Sequence, residues 1–163
     1  MFRSTVIAAT LAITFSSAQA APPLTVKVYN AGGNSFNVNA TLIAGEKEAI
    51  VIDAGFTRAD ALRIAANVLD SGKQLTTIYV SQADPDYYFG VETIKEIFPQ
   101  AEVVTTPAVL AKINAKLEGK IGFWGPKMGA NAPRTPVLPK AISGNTLTVD
   151  GQTVEIRGTT GPL

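Results

Sequence analysis

Tyr79-Val80-Ser81-Gln82-Ala83-Asp84-Pro85-Asp86-Tyr87-Tyr88-Phe89-Gly90 is the stretch on which the fold turns. It starts as the end of an apolar run, residues 75–80 (LTTIYV), with the composition of a buried strand. It then becomes a polar loop with a proline, two carboxylates and a closing glycine. Upstream, Ala49-Ile50-Val51-Ile52-Asp53-Ala54-Gly55 has the same grammar, a continuous apolar strand that ends in a carboxylate. A helix is expected between the two. Thr57 is its N-cap and Asp60 its capping-box partner. Leu62, Ala65, Ala66 and Leu69 share one face, and Gly72 ends it. Both carboxylate sets therefore lie just past the C-terminal ends of buried strands, the edge at which open α/β sheets bind ligands.

Outward from this unit, residues 24–29 alternate as a strand, Asn30-Ala31-Gly32-Gly33-Asn34 is a turn, and residues 36–43 read as a strand with Phe36, Val38, Ala40 and Leu42 on one face. Downstream come a short helix over 91–98 closed by Pro99, a strand over 101–105, and a helix from Pro107 to about Leu117. Glu92 and Glu96 are four apart on the first of these helices and read as a solvated face. Residues 119–139 are rich in Gly and Pro, lack periodicity and hold the only Trp, Trp124. They read as a long loop of the kind that forms lids, with Trp124 and Phe123 as part of the lid or as its anchor on the core. Two alternating strands around Asp150-Gly151 form a hairpin. The order predicts a mixed α/β (α+β) fold with a parallel middle.

Met1-Phe2-Arg3, the apolar run over 6–15 and Ala18-Gln19-Ala20 have the three parts of a signal peptide, residues 1–20. The apolar run is too short to span a bilayer, which needs about 20 residues. Periplasmic or secreted placement is expected, with no membrane association after cleavage. The formal charge of +1 falls to about zero without Arg3, which leaves no electrostatic footprint for nucleic acid. The 163 residues contain no Cys and no His. No ordinary zinc site can be built from this chain alone, and any divalent metal would sit on oxygen ligands.

Asn39 before an apolar segment, Asp53-Ala54-Gly55, the helix and strand that follow, Ser81, Gly90 and Phe98-Pro99-x-Ala101-x-Val103 recur in the order found in the metallo-β-lactamase superfamily, which the chain resembles from about Leu24 onward. The resemblance implies an αββα sandwich, here an incomplete N-terminal half over residues 24–163, and metal-activated hydrolysis of a small-molecule substrate. It places Gln82, Asp84 and Tyr87 where the family has histidines, and keeps only Asp86. Pro162, in Thr159-Thr160-Gly161-Pro162, falls where a further histidine would be. By this resemblance Asp86 is the candidate catalytic residue, and Asp84, Asp86 and Gln82 are candidate metal ligands. Asp53, Tyr87 and Gly90 are pocket or supporting residues, with Asp53 placed to accept hydrogen bonds from the loop around Gln82. In an extended loop, Asp84 and Asp86 at i, i+2 point to one side. Three functions compete: a hydrolase with an altered metal site and weak or no zinc activity, a non-catalytic relative that binds a small molecule or partner, and a fragment of a longer protein. A fragment would expose apolar surface where the second half of the sandwich packs.

Overall fold

A computed structural model describes residues 21–158. The signal-peptide reading of 1–20 and the Thr159–Pro162 correspondence lie outside the described residues. Six strands form one sheet in chain order: β1 Thr25–Asn30, β2 Asn39–Ala44, β3 Glu48–Ile52, β4 Gln74–Val80, β5 Glu102–Thr105 and β6 Lys140–Ala141. The first three are antiparallel, and β3 to β6 are parallel. Helix α1, Arg58–Ser71, crosses from β3 to β4. The short α2, Pro85–Tyr88, and α3, Val91–Ile97, lie between β4 and β5, and α4, Pro107–Met128, follows β5. Strands β7, Thr146–Val149, and β8, Gln152–Glu155, pair as a separate hairpin. Asp150 and Gly151 both have positive φ at its turn, as a two-residue hairpin loop requires.

The apolar run of β3 is explained by its two covered faces. On one, Val51 pairs in register with Leu42 and Ile78, and this face meets α1, α3 and α4 around Ile64, Val68, Ile94 and Ile113. On the other, Ile50, Tyr79 and Val104 lie under Leu147 and Val149 of the hairpin. The layers are helices, sheet and hairpin. This agrees in part with the αββα sandwich that the resemblance implies, with the hairpin alone standing for the second sheet among the described residues.

Three sequence expectations need correction. The strand expected over 36–43 begins only at Asn39, because Phe36 and Asn37 are both left-handed, at φ 60° and 54°. The turn is held there by Asn30, whose side-chain amide donates to the Asn37 carbonyl. The buried face of α1 is Ala61, Ile64, Ala65 and Val68, one position off the expected stripe, so Leu62 and Leu69 are exposed. The capping box sets this rotation: Asp60 is itself buried, and residues four and eight beyond it follow it inward. The loop expected over 119–139 is helical as far as Met128, since Leu117, Ile121, Trp124 and Met128 all rest on the core. The Glu92 carboxylate accepts from the backbone N–H groups of Arg134 and Thr135, and Glu96 pairs with Arg58 at 2.9 Å. Both glutamates remain solvent-accessible, as expected, and tie segments together from that face.

Candidate functional site

The site is a platform where the end of β3 meets the loop after β4. Three backbone bonds join them: Asp53 N–H to Tyr79 O at 2.8 Å, Ala54 N–H to Tyr87 O at 2.8 Å, and Gly90 N–H to Gly55 O at 3.1 Å. Asp53 sits in the left-handed region at φ 64°, which turns its carboxylate toward β4. Oδ1 accepts from the Ser81 backbone N–H and Oδ2 from the Ser81 hydroxyl, both at 2.7 Å. Burial pushes the Asp53 carboxyl up to about 7, against the pull of the two Ser81 bonds and with a further push from the Asp86 charge. The loop can approach this closely because residue 90 is glycine: a Cβ there would lie 2.0 Å from the Ala54 carbonyl oxygen.

Asp84 is extended, at φ −88° and ψ 149°, but residues 85–88 are helical. Asp84 precedes the short helix α2, and Pro85 and Asp86 are in its first turn. The two carboxylates are thus placed by the start of a helix rather than by an extended loop, and both still face one concavity. Asp84 pairs with Lys120 of α4 at 2.9 Å. Asp86 is half-buried. Burial raises its carboxyl, and the Asp84 charge adds to this while Lys120 opposes it. The Tyr87 phenol is also raised, first by burial and then by Asp86, Asp53 and Asp84. Tyr88 and Phe89 are buried in the core, and Tyr87 packs against it.

Asp84, Pro85, Asp86 and Lys120 line one concavity with Phe36, Phe56 and Trp124, about 200 Å³ in volume. The three aromatic rings meet edge to face, with centroids 5.2 to 5.6 Å apart. Gln82 lines a different concavity, with Tyr79, Thr106 and Arg157. The structure thus brings together Asp84 and Asp86 of the three candidate ligands and sets Gln82 apart. Sequence reading missed Phe36, Phe56 and Lys120. Lys120 is 36 positions from Asp84, and no local pattern marks it.

The metal that the fold implies does not fit this donor set. Among the described residues no three His, Cys, Asp or Glu side chains group closely enough to hold an ion. One of the two neighbouring carboxylates is already paired with an ammonium. A lysine has no lone pair to offer a metal while charged.

The model of the family described as "Metallo-beta-lactamase superfamily" matches residues 33–162, and the chain belongs to that superfamily. Among solved structures it is similar to the BLEG-1 B3 metallo-beta-lactamase, at 18% identity and a TM-score of 0.59, covering 80% of this chain and 59% of that one. It is also similar to the metallo-beta-lactamase SMB-1 in complex with mercaptoacetic acid, at 19% identity and TM-score 0.52, with 72% and 45% covered. A third is the metallo-beta-lactamase of Cronobacter sakazakii (Enterobacter sakazakii) with the HARLDQ motif, at 23% identity and TM-score 0.51, with 71% and 45% covered. At these identities the likeness is one of fold. The chain spans about half to three-fifths of the length of these structures. A search of curated proteins gives no match.

Proposed function

We propose that this chain is an exported member of the superfamily that binds a small molecule at the C-terminal sheet edge and has weak or no zinc hydrolase activity. The observation that carries this is the Lys120 ammonium, 2.9 Å from the Asp84 carboxylate, in a pocket with no histidine. An ammonium paired with Asp84, one of the candidate ligands, favours a salt bridge over ligation and supplies no activated water. The pocket has two carboxylates against one ammonium, with aromatic walls. That chemistry suits a small ligand with a cationic head and an apolar body. Asp86, half-buried beside the pair, is the group assigned to the head.

The test is metal content by elemental analysis, thermal melts with Zn²⁺, Mn²⁺, Ca²⁺ and EDTA, and turnover of a chromogenic lactam. The expected result is no stoichiometric metal, no shift and no turnover. Bound metal with a shift that Asp84→Ala abolishes would overturn the reading. Export is checked separately: in bacterial cells the protein is expected in the periplasmic or secreted fraction, with Ala21 as its N-terminus.

A further inference from the structure

The far end of α4 is built unlike the rest of the helix. Its first half is anchored by the fully buried Val109 and Ile113. Beyond Glu118 the helix carries Gly119, Gly122 and Gly125, and then Pro126 inside its last turns. Each glycine lowers helix formation roughly five-fold relative to alanine. Packing does not require them, because a Cβ at any of the three would meet nothing within 4 Å. Pro126 has no N–H to give to the preceding turn.

What holds this segment down is tertiary. Ile121, Trp124 and Met128 pack on the core, Trp124 edge-on against Phe36 and Phe56, and Lys120 reaches Asp84. The surface beneath is fixed by comparison. The turn carrying Phe36 is pinned by Ser35, whose hydroxyl donates to buried Asp60 at 2.6 Å, and by the Asn30 side chain. Two consecutive left-handed non-glycine residues persist only where surrounding structure dictates them.

We propose that residues 119–128 are a hinged flap over the pocket of Asp84 and Asp86, latched by Trp124 and Lys120, which opens to admit the ligand. The gating role rests on the proposed binding function, whereas the opening itself does not. The pocket, open to solvent beside exposed Asp84 and Phe36, has a volume of about 200 Å³, smaller than the roughly 300–1,000 Å³ of drug-sized sites, and two of its walls, Lys120 and Trp124, belong to the flap, so flap opening enlarges it.

Hydrogen exchange on the full chain tests this without ligand. Amides of 119–128 are expected to exchange at least roughly tenfold faster than those of 109–117. Gly119→Ala/Gly122→Ala/Gly125→Ala is expected to slow them by about 100-fold, three five-fold factors combined. Lys120→Met is expected to speed them by up to about five-fold. Acrylamide quenching of Trp124, the only Trp, should follow the same order. Equal protection along α4, or exchange indifferent to the triple alanine change, would overturn the flap. Titration with benzylamine then separates the two ideas: fast, alanine-sensitive exchange without benzylamine binding would overturn the pocket reading and leave the flap standing, while binding slowed by the triple change would support gating.

Discussion

Two buried aspartates show how local donors decide the state of a carboxyl. Asp60 is buried, and burial alone would raise its carboxyl, yet it is held below the usual range. Ser35, Thr57 and Tyr29 hydroxyls and the Thr57 N–H all donate to it. Asp53 has only Ser81 as donor, and burial wins, at about 7. The native state therefore binds the Asp53 proton more tightly than the unfolded chain does. The stability this contributes is fully present below the unfolded value near 4 and is lost as pH rises through about 7. At 1.36 kcal/mol per pKa unit the loss between pH 5 and pH 8 is on the order of 2–3 kcal/mol. Asp53→Asn keeps a residue tolerant of the left-handed region and can still bond Ser81, so it is expected to flatten that slope, as urea melts at pH 5 and pH 8 would show. A slope unchanged in the variant would assign the titration to another group. Gly90 is the second residue-scale case. Its φ is an ordinary −73°, so the need for glycine is steric rather than conformational. Gly90→Ala puts a methyl into the Ala54 carbonyl and 2.8 Å from the Ala61 Cβ. A loss on the order of 3 kcal/mol is expected in denaturant melts, since neither neighbour is the flexible end of a side chain.

At the scale of elements, the hairpin is held to the sheet by its turn as well as by its apolar face. Asp150 accepts from the backbone N–H groups of Lys47 and Glu48, and the Glu48 carboxylate accepts from the Asp150 N–H. Gly45 leaves room for this, since a Cβ there would lie 2.2 Å from Asp150 Oδ2. Gly45→Ala is expected to undock the β7–β8 turn, read as faster hydrogen exchange in 146–155 with β3 and β4 unchanged; protection equal to that of the parent protein would refute the lock. The hairpin, the β3–α1–β4 unit and its cap were legible in the sequence because each rests on local signals: a two-residue turn, a capping box and continuous apolar runs. The rotation of α1 was not, because the residue that sets it, Asp60, is a buried carboxylate whose partners Tyr29 and Ser35 are 31 and 25 positions away. The far half of α4 was hidden for the converse reason. Its glycines and proline speak against a helix, and tertiary contacts make one: Ile121, Trp124 and Met128 on the core, Trp124 on the distant Phe36 and Phe56, and Lys120 on Asp84. The candidate site was half legible on the same terms. Asp53 directly follows β3, and Asp84, Asp86 and Gly90 stand close together in the segment after β4, whereas the aromatic wall and Lys120 come together only in the folded chain.

At the scale of the whole molecule, the sheet is covered unevenly. Among the described residues, the helical face carries the main core, whereas on the opposite face the hairpin covers β3, β4 and β5 and reaches Ile43 of β2 but not the outer part of β1. Register places Val26 of β1 beside Ile43, and Ile43 beside Ile50, so these side chains share the hairpin's face. Val28, opposite Thr41, which is in turn opposite Ile52, belongs to the same face. Val26 is 63% and Val28 56% exposed, and Ile43 and Ile52 are half-buried. In a sheet-on-sheet sandwich such an inner face lies about 10 Å from its partner and is dry. An apolar strip left open on an edge strand is instead a surface for self-association. If this strip faces water, exchanging its valines for threonine removes no packing. Val26→Thr/Val28→Thr is therefore expected to change unfolding stability by less than about 0.5 kcal/mol, as exposed positions do, and to lower light scattering at high protein concentration. A destabilisation of several kcal/mol would mean that something covers the strip in solution, and comparing melts across protein concentration would then tell a second copy, whose effect grows with concentration, from cover supplied within one chain.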